Sequence, residues 1–479
     1  MEDSLILQIL AIPEETQTLE FKRLGDGERV VSKIIETIVA MSNTDGGYII
    51  LGVDDPEKTK LKGFDRIFGI EEGKEKFDEI GREIKNIVPP IGNLWPPSVL
   101  EVSQINKKVA VLKIAKATHH FHSIKDQVFV RLLKGNKKLT PQEIVKFSYA
   151  KGFEKADKEL VDVDFDLLNT EFFKGWKESR NINSQNIKEI LFDTGLARKN
   201  QDSILQPTRA AVLLFAKYPT NLMETKCAIR IYQYSGTIEN FKAIPNMIGV
   251  PKTIDGPIVK LIKDSQEYVL MLLRSGLEIY SGFKTKYKIP QRAIKEAITN
   301  AVIHRDYHIK RDIEISLFED RIEFLSPGLF PSNITISNIG KIRSDGYRND
   351  LLVKHLREFP EQPNLDRNEG VRAMRGDMKE SNLYPPIFIT YPIIEDSVKV
   401  ILLNEEMPSE WEKIKEYLEL NKYITNSEAR KITGVVQMHK MSRLLRKWVS
   451  QGLLIKITHE SKSAKLTSYK LTNNEDINN

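Results

Sequence analysis

Three carboxylates and a lysine near the start of the chain could do phosphate chemistry together. Glu20 and Lys22 lie two apart in Thr18-Leu19-Glu20-Phe21-Lys22, so on a strand they share a face. Asp54 closes an apolar run over 48–53, with Asp55 competing for the same role. Glu15 precedes Glu20 by five residues. That odd offset would put it on the opposite face of a continuous strand, about 17 Å away at roughly 3.3 Å per residue. Glu15 joins the others only if the chain turns, and Pro13 with Glu15-Thr16-Gln17 makes a polar turn. Carboxylates gathered in this way can hold Mg2+ or Mn2+, which polarises a phosphodiester and lowers the pKa of a bound water. Lys22 would stabilise phosphate charge. The plainer alternative makes Glu20 and Lys22 a solvated strand face and Asp54-Asp55-Pro56 an ordinary turn.

A second polar line follows Pro290, which suits a helix start. Glu296, Asn300 and His304 fall at i, i+4 and i+8. Ile294, Ala297, Ile298, Ala301 and Val302 form the apolar stripe of the same helix. By spacing alone the simpler reading is an amphipathic helix with a solvated face. A Mg-nucleotide site of the GHKL type uses such a line, with a glutamate acting on the attacking water and an asparagine reaching the metal.

Cations mark the third candidate. Between residues 411 and 472, thirteen Lys and Arg stand against five Asp and Glu, whereas the whole chain of 479 residues carries only +6. Thr425-Asn426-Ser427-Glu428 caps a short helix over 427–433, Gly434 permits a turn, and a second helix is expected over 436–451. Met441, Leu444, Leu445 and Trp448 would face inward, and Lys440, Arg443, Arg446 and Lys447 mostly outward. Strands over 453–457 and 468–471 would make a wing with Lys462 and Lys465 at its tip. A winged helix-turn-helix with these cations fits phosphate contact and major-groove entry. Protein contact or dimerisation is the alternative use.

These groups need elements to hold them. Residues 1–150 predict a mixed α/β domain: a strand over 18–22, a helix over 29–41 and a central strand over 48–53. A hairpin over 99–105 and 109–115 would turn at Asn106-Lys107-Lys108, with a further strand over 127–133. Thr140-Pro141-Gln142-Glu143 opens a helix. Residues 151–169, with six acids against three lysines, predict a linker. Residues 170–405 predict helices over 186–198, 208–218 and 290–305, strands over 227–234, 312–318 and 321–325, then a long irregular region. Residues 406–479 hold the basic module and a polar tail. The fold class expected is multidomain α/β (α+β).

Thr18–Arg23, Ser42-Asn43-Thr44-Asp45-Gly46-Gly47 and Gly52-Val53-Asp54-Asp55 occur in the order that resembles a Schlafen/AlbA-type domain, over roughly 14–146. The resemblance implies nucleic-acid binding. In nuclease-active relatives the metal-holding acids would fall on Glu15, Glu20 and Asp54. The cysteines of the animal Schlafen zinc site are absent, so His119, His120 and His122 are expected on the surface or in packing. The stretches around Ala293–Tyr307, Asp312–Pro331, Ser344–Leu352 and Glu369–Met374 resemble the RecG-like C-terminal ATP-binding region of the GHKL class, over roughly 165–395. This implies ATP and Mg2+, with Asn300 on the metal, Glu296 as general base, and Gly328 and Gly370 in turns lining the nucleotide. Where the class has an aspartate reading adenine in Asp-x-Gly-x-Gly, this chain has Leu325-Ser326-Pro327-Gly328-Leu329. No Walker lysine loop is present, so no helicase motor is expected.

The single cysteine, Cys227, excludes a disulfide framework within the chain and suits a reducing cytosol. No cationic leader or membrane-length apolar run is seen, so a cytoplasmic protein without membrane contact is expected. The function expected is an ATP-binding protein acting on DNA or RNA, either a metal-dependent nuclease in bacterial defence gated by ATP or an ATP-responsive winged-helix transcription regulator that does not cut. A homo-oligomer is left open.

Overall fold

The computed structural model describes residues 2–25, 27–223, 226–238, 246–275, 277–278, 284–285, 287–331, 333–344, 346–361, 370–421, 423–460 and 465–472. It divides into two compact units, one of residues 1–146 with 408–479, the other of residues 147–407.

In the N-terminal part of the first unit, four strands run in the order Leu19–Lys22, Gly47–Leu51, Lys107–Ile114, Ser98–Val102. The first pair is parallel, with Glu20 beside Ile49, and the others are antiparallel. Alternation divides the sheet's side chains between two cores. Ile49, Leu51 and Leu112 pack under Ile34, Ile38 and Met41 of the helix Val30–Ser42. Phe21, Ile50 and Val109 pack with Ile6 and Ile9 of the helix Glu2–Ala11. The glycines between helix and second strand serve close approach: Gly47 has φ +144°, and a Cβ there would lie 2.2 Å from the Thr18 carbonyl oxygen. Lys107 and Lys108, expected in a turn, belong to a strand and pair with Val102 and Glu101. Asn106, at φ 51°, closes that turn instead, a conformation asparagine tolerates. The Thr140 capping box forms as expected, with Thr140 N–H donating to Glu143 and Glu143 N–H to Thr140 Oγ1. His122 is buried, with its backbone N–H held by Asn43 Oδ1 at 2.8 Å.

Residues 408–472 give helix Ser409–Leu420, strand Ile424–Thr425, helices Asn426–Thr433 and Met438–Ser450, and paired strands Leu454–Glu460 and Lys465–Leu471. The three strands form one sheet with Lys465–Leu471 in the middle. Trp411 and Trp448 meet at 5.1 Å between ring centroids, joining the first and third helices.

The second unit is built on a six-stranded sheet in the order Lys252–Ile254, Ile229–Gln233, Ile313–Leu317, Arg321–Pro327, Ser397–Leu403, Ile387–Ile389. Helix Gln291–Ile303 buries Ile294, Ile298 and Val302 in the core that holds Ile315 and Phe324 of this sheet. The 18-residue helix Ile258–Ser275 was not anticipated. The helix expected over 186–198 ends early, as Ile187–Asp193, and Gly195 at φ +78° precedes a short strand, Ala197–Lys199. Within the region expected to be irregular lie helices Asp350–Leu356 and Gly370–Glu380.

The expected linker, 151–169, is instead built into this unit. Two of its six acids find partners across the unit: Asp157, fully buried, accepts from Leu351 and Leu352 N–H at 2.8 and 3.1 Å. Glu159 holds Arg209 at 2.6 Å and His308 at 2.7 Å. Phe165 and Leu168 enter the core. Acidic composition alone signals solvation, but paired acids can be buried.

Candidate nucleotide pocket and nucleic-acid interface

The expected turn before Glu20 exists. Thr16 and Leu19 exchange backbone hydrogen bonds at 2.9 and 3.3 Å, which folds Glu15 back so that its Oε1 accepts from Phe21 N–H at 2.8 Å. Glu15 and Glu20 are both buried. Burial, and then the neighbouring Glu20 charge, push the Glu15 carboxyl above its ordinary pKa. Glu20 is committed to cations: Lys22 bonds one of its oxygens and the buried Arg131 the other. Arg131 also donates to Asn136 Oδ1 at 3.0 Å.

The charge of a further acid, Asp55, also acts on Glu15. Lys58 sits 2.7 Å from Asp55 and 4.0 Å from Glu15. Asp54 is held by its backbone, donating to the Arg66 carbonyl at 2.9 Å and accepting from Arg66 Nη2 at 2.8 Å. Among the described residues, no three His, Cys, Asp or Glu side chains are grouped as metal ligands. The expected Mg2+ or Mn2+ trio of Glu15, Glu20 and Asp54 is therefore not assembled. Lys22 and Arg131 pair with Glu20, and Lys58 stands between Asp55 and Glu15, so cationic side chains already balance these carboxylates.

The second unit behaves differently. Glu296, Asn300, His304, Gly328 and Gly370 all line one cavity of about 210 Å³. Asn300 Nδ2 donates to Glu296 Oε1 at 2.7 Å. This bond uses the amide's donor end and leaves its carbonyl oxygen as the end suited to a metal. Burial raises the Glu296 carboxyl pKa, opposed by the Asn300 bond and by Arg292. Gly370 touches the same carboxylate so closely that a Cβ there would lie 1.5 Å from Glu296 Oε1. Gly328 has φ +106°, and a Cβ there would lie 2.9 Å from Asp306 Cβ. These residues fit a Mg-nucleotide: a carbonyl oxygen and a basic carboxylate at one end, and apolar walls including Phe324, Phe330, Met374 and Phe388.

His304 caps the helix and lies parallel to Tyr347, at 5.6 Å between ring centroids. Burial, then the Arg348 charge, push its imidazole down to about 4, so it is neutral at physiological pH. It is thus a wall of the cavity, not a cation for phosphate. Sequence reasoning missed Arg292, Ser326 and Tyr347, which also line the cavity. Arg292 was legible, because it extends the i, i+4, i+8 line one step backward. Ser326 could have been found from alternation, since Phe324 and Ser326 share one face of their strand. Tyr347 gave no such signal.

On the C-terminal helix Met438–Ser450, Lys440, Arg443, Arg446 and Lys447 are exposed, while Met441, Leu445 and Trp448 are buried. Lys440 approaches Glu410 to 3.9 Å, and Arg446 Nε donates to the Ser442 carbonyl at 3.2 Å. Lys465 opens the last strand, and Lys462 lies outside the described residues.

Comparison with known proteins bears on both units. Residues 15–140 match the family model described as Schlafen, AlbA_2. The chain carries a Schlafen AlbA_2 domain. Residues 310–402, which contain the Arg321–Pro327 strand and Gly370, match the ATP-dependent DNA helicase RecG C-terminal family. No curated protein matches the chain. A crystal structure of the DIP2311 protein from Corynebacterium diphtheriae is similar over 98% of this chain and 83% of that one, at 16% identity and a TM-score of 0.39. The Schlafen AlbA_2 domain and the RecG-like region together indicate an ATP-binding, nucleic-acid-related protein. Among the described residues, no helix is long and apolar enough to cross a membrane.

Proposed function

We propose that this protein binds nucleic acid under the control of a nucleotide, and that it does so without metal-dependent cutting by its Schlafen AlbA_2 domain. The observation that carries the first half is the convergence of Glu296, Asn300, His304, Gly328 and Gly370, distant in sequence, on one cavity. The second half is supported by the commitment of Glu20 to Arg131 and Lys22.

In a GHKL-like reading of the second unit, Asn300 would hold Mg2+ through its side-chain carbonyl, and the ion would neutralise nucleotide phosphate charge. Glu296 is kept basic by burial, which suits it to take a proton from a positioned water. Gly370 lets backbone pass close to Glu296. The C-terminal helix–strand–helix–helix–hairpin order supports reading this part as a winged helix, whose exposed cations would suit duplex phosphates. A cytoplasmic, nucleotide-responsive regulator of DNA is the reading these features favour over a nuclease.

The test is a gel shift of the full chain against its own upstream DNA, with and without ATP and Mg2+. In parallel, labelled tRNA, single strands and duplex are incubated with Mn2+. Saturable binding that shifts with nucleotide and leaves the substrates intact is expected. Cleavage abolished by Glu20→Ala would return the Schlafen AlbA_2 carboxylates to a catalytic role.

A further inference from the structure

The C-terminal ends of two helices meet on one buried guanidinium. Arg348 is 3% exposed. Its Nε donates to the His304 carbonyl at 3.1 Å, and His304 caps the helix Gln291–Ile303 that carries Glu296 and Asn300. Its Nη1 donates to the Tyr149 carbonyl at 2.7 Å and its Nη2 to that of Ala150, both in the last turn of the helix Pro141–Lys151. Nη2 also donates to the Leu329 carbonyl at 2.6 Å. Asp306 Oδ2 stands 3.9 Å away, beyond a hydrogen bond. The guanidinium is thus held by carbonyl oxygens, most of them at helix ends, where carbonyls lack helical partners and a cation is favoured.

The same group touches the cavity and the helix end through two glycines. A Cβ on Gly328, which lines the cavity, would lie 3.4 Å from Arg348 Cζ. A Cβ on Gly152 would lie 3.2 Å from Arg348 Nη1. Gly152 N–H donates to the Tyr149 carbonyl at 2.9 Å and Phe153 N–H to the Ser148 carbonyl at 3.0 Å, which closes the last turn of the helix. Leu329, another residue of the cavity wall, donates its own N–H to the Ala150 carbonyl at 3.0 Å. Among the described residues that line the cavity, none lies between 148 and 153.

We propose that Arg348 is the positioning residue through which a nucleotide in this cavity tightens the end of the helix Pro141–Lys151. That helix follows the Schlafen AlbA_2 match at 15–140 directly in the chain. A nucleotide that fixes the His304 and Leu329 walls fixes two of the four carbonyls that hold the guanidinium. The other two, of Tyr149 and Ala150, are then bonded to a donor that no longer moves. Each of these is a charge-assisted hydrogen bond, roughly twice the strength of a neutral one. That strength suits the guanidinium to pass order from one helix end to the other. The inference rests on the nucleotide reading proposed above and adds to it the place where occupancy is felt.

Amide hydrogen exchange of the full chain, with and without saturating ATP and Mg2+, tests this, with calorimetric titration of the same sample to establish binding. In wild type, peptides covering 148–153 should exchange on the order of tenfold more slowly with nucleotide, one charge-assisted hydrogen bond's worth, although they lie outside the cavity. Arg348→Lys keeps the charge but lacks the planar fork that reaches several carbonyls at once. Studied at saturating ATP, so that weaker binding does not enter, it should lose the slowing at 148–153. A merely structural Arg348 would give faster exchange with and without ATP alike and an unchanged ratio between them. The wild-type comparison needs no variant, so a folding defect in Arg348→Lys does not protect the idea. ATP binding with unchanged exchange at 148–153 in wild type, or an undiminished ratio in Arg348→Lys, overturns the assignment while leaving the nucleotide site standing. No binding of ATP with Mg2+ overturns both.

Discussion

Gly370→Ala separates the nucleotide site from the fold that carries it. Glycine begins the helix Gly370–Glu380, and a methyl group there would stand 1.5 Å from Glu296 Oε1. Nothing fits at that distance, so the carboxylate must swing away and give up its 2.7 Å bond from Asn300. Losing that bond is worth about 1 kcal/mol. A strained Glu296 rotamer adds on the order of 0.5–1.5 kcal/mol. Against this, alanine in place of glycine favours a helix by up to about 1 kcal/mol. The colliding atom is the end of a flexible side chain, so the unit should stay folded with stability altered by about 1 kcal/mol. Nucleotide binding has no such offset. Glu296 and Asn300 lose their mutual orientation, and affinity for ATP with Mg2+ should fall about tenfold or more. Calorimetric titration and thermal unfolding of the same sample give both numbers. ATP affinity equal to wild type in a stably folded Gly370→Ala protein would refute the reasoning, because it would show that Glu296 does not need the position in which the structure holds it.

Other perturbations reach other parts of the chain. Glu296→Gln should raise the stability of the second unit at neutral pH. Burial raises this carboxyl above its ordinary 4.5, so its favourable contribution is present below 4.5 and is lost as pH rises through the folded value. The gain from Gln should therefore vanish in acid, and urea denaturation across that range would show it; a gain that grows in acid has the wrong sign. Arg131→Met leaves the buried Glu20 with Lys22 alone and should destabilise the Schlafen AlbA_2 domain by about 3 kcal/mol, read by chemical denaturation. Replacing Arg443, Arg446 and Lys447 together by Ala should reduce the slope of log affinity against log salt for duplex DNA by about 2.7, at roughly 0.9 per phosphate contact. An unchanged slope would point to protein contact as the use of that helix.

Much of this architecture was legible because it depends on local pattern. The strand holding Glu20, the helix holding Glu296 and the capping boxes at Thr140 and Thr425 appear within a residue or two of expectation. The turn that returns Glu15 to Glu20 was legible from its polar residues, and so was the need for it. What escaped was decided by partners far away in sequence. Arg131 lies 111 residues from Glu20, and no spacing rule announces it. Asp157 takes its hydrogen bonds from residues near 350, so one acid of a stretch that reads as solvated linker is buried. Asp55 acts on Glu15 from beyond the strand end, where alternation no longer assigns a face past the last ladder pair.

Each unit shelters a glutamate, Glu20 buried and Glu296 partly so, and the difference between them is the partner. Glu20 is met by a guanidinium and an ammonium, so each of its oxygens is bonded to positive charge. Such a carboxylate has little left for a divalent ion, and drawing it away would leave Arg131 buried and uncompensated. Glu296 is met by an amide, and its carboxyl pKa is raised. An amide neither neutralises the charge nor fills both oxygens, so burial turns this residue into a base. The same amide presents its other end, a carbonyl oxygen, to any cation that enters. On the proposed reading, the carboxylate suited to take a proton at the nucleotide cavity is Glu296, where the Asn300 bond and the Arg292 charge oppose the rise that burial causes. On the same reading, the Schlafen AlbA_2 domain, whose Glu20 is paired with Lys22 and Arg131, holds nucleic acid without cutting it.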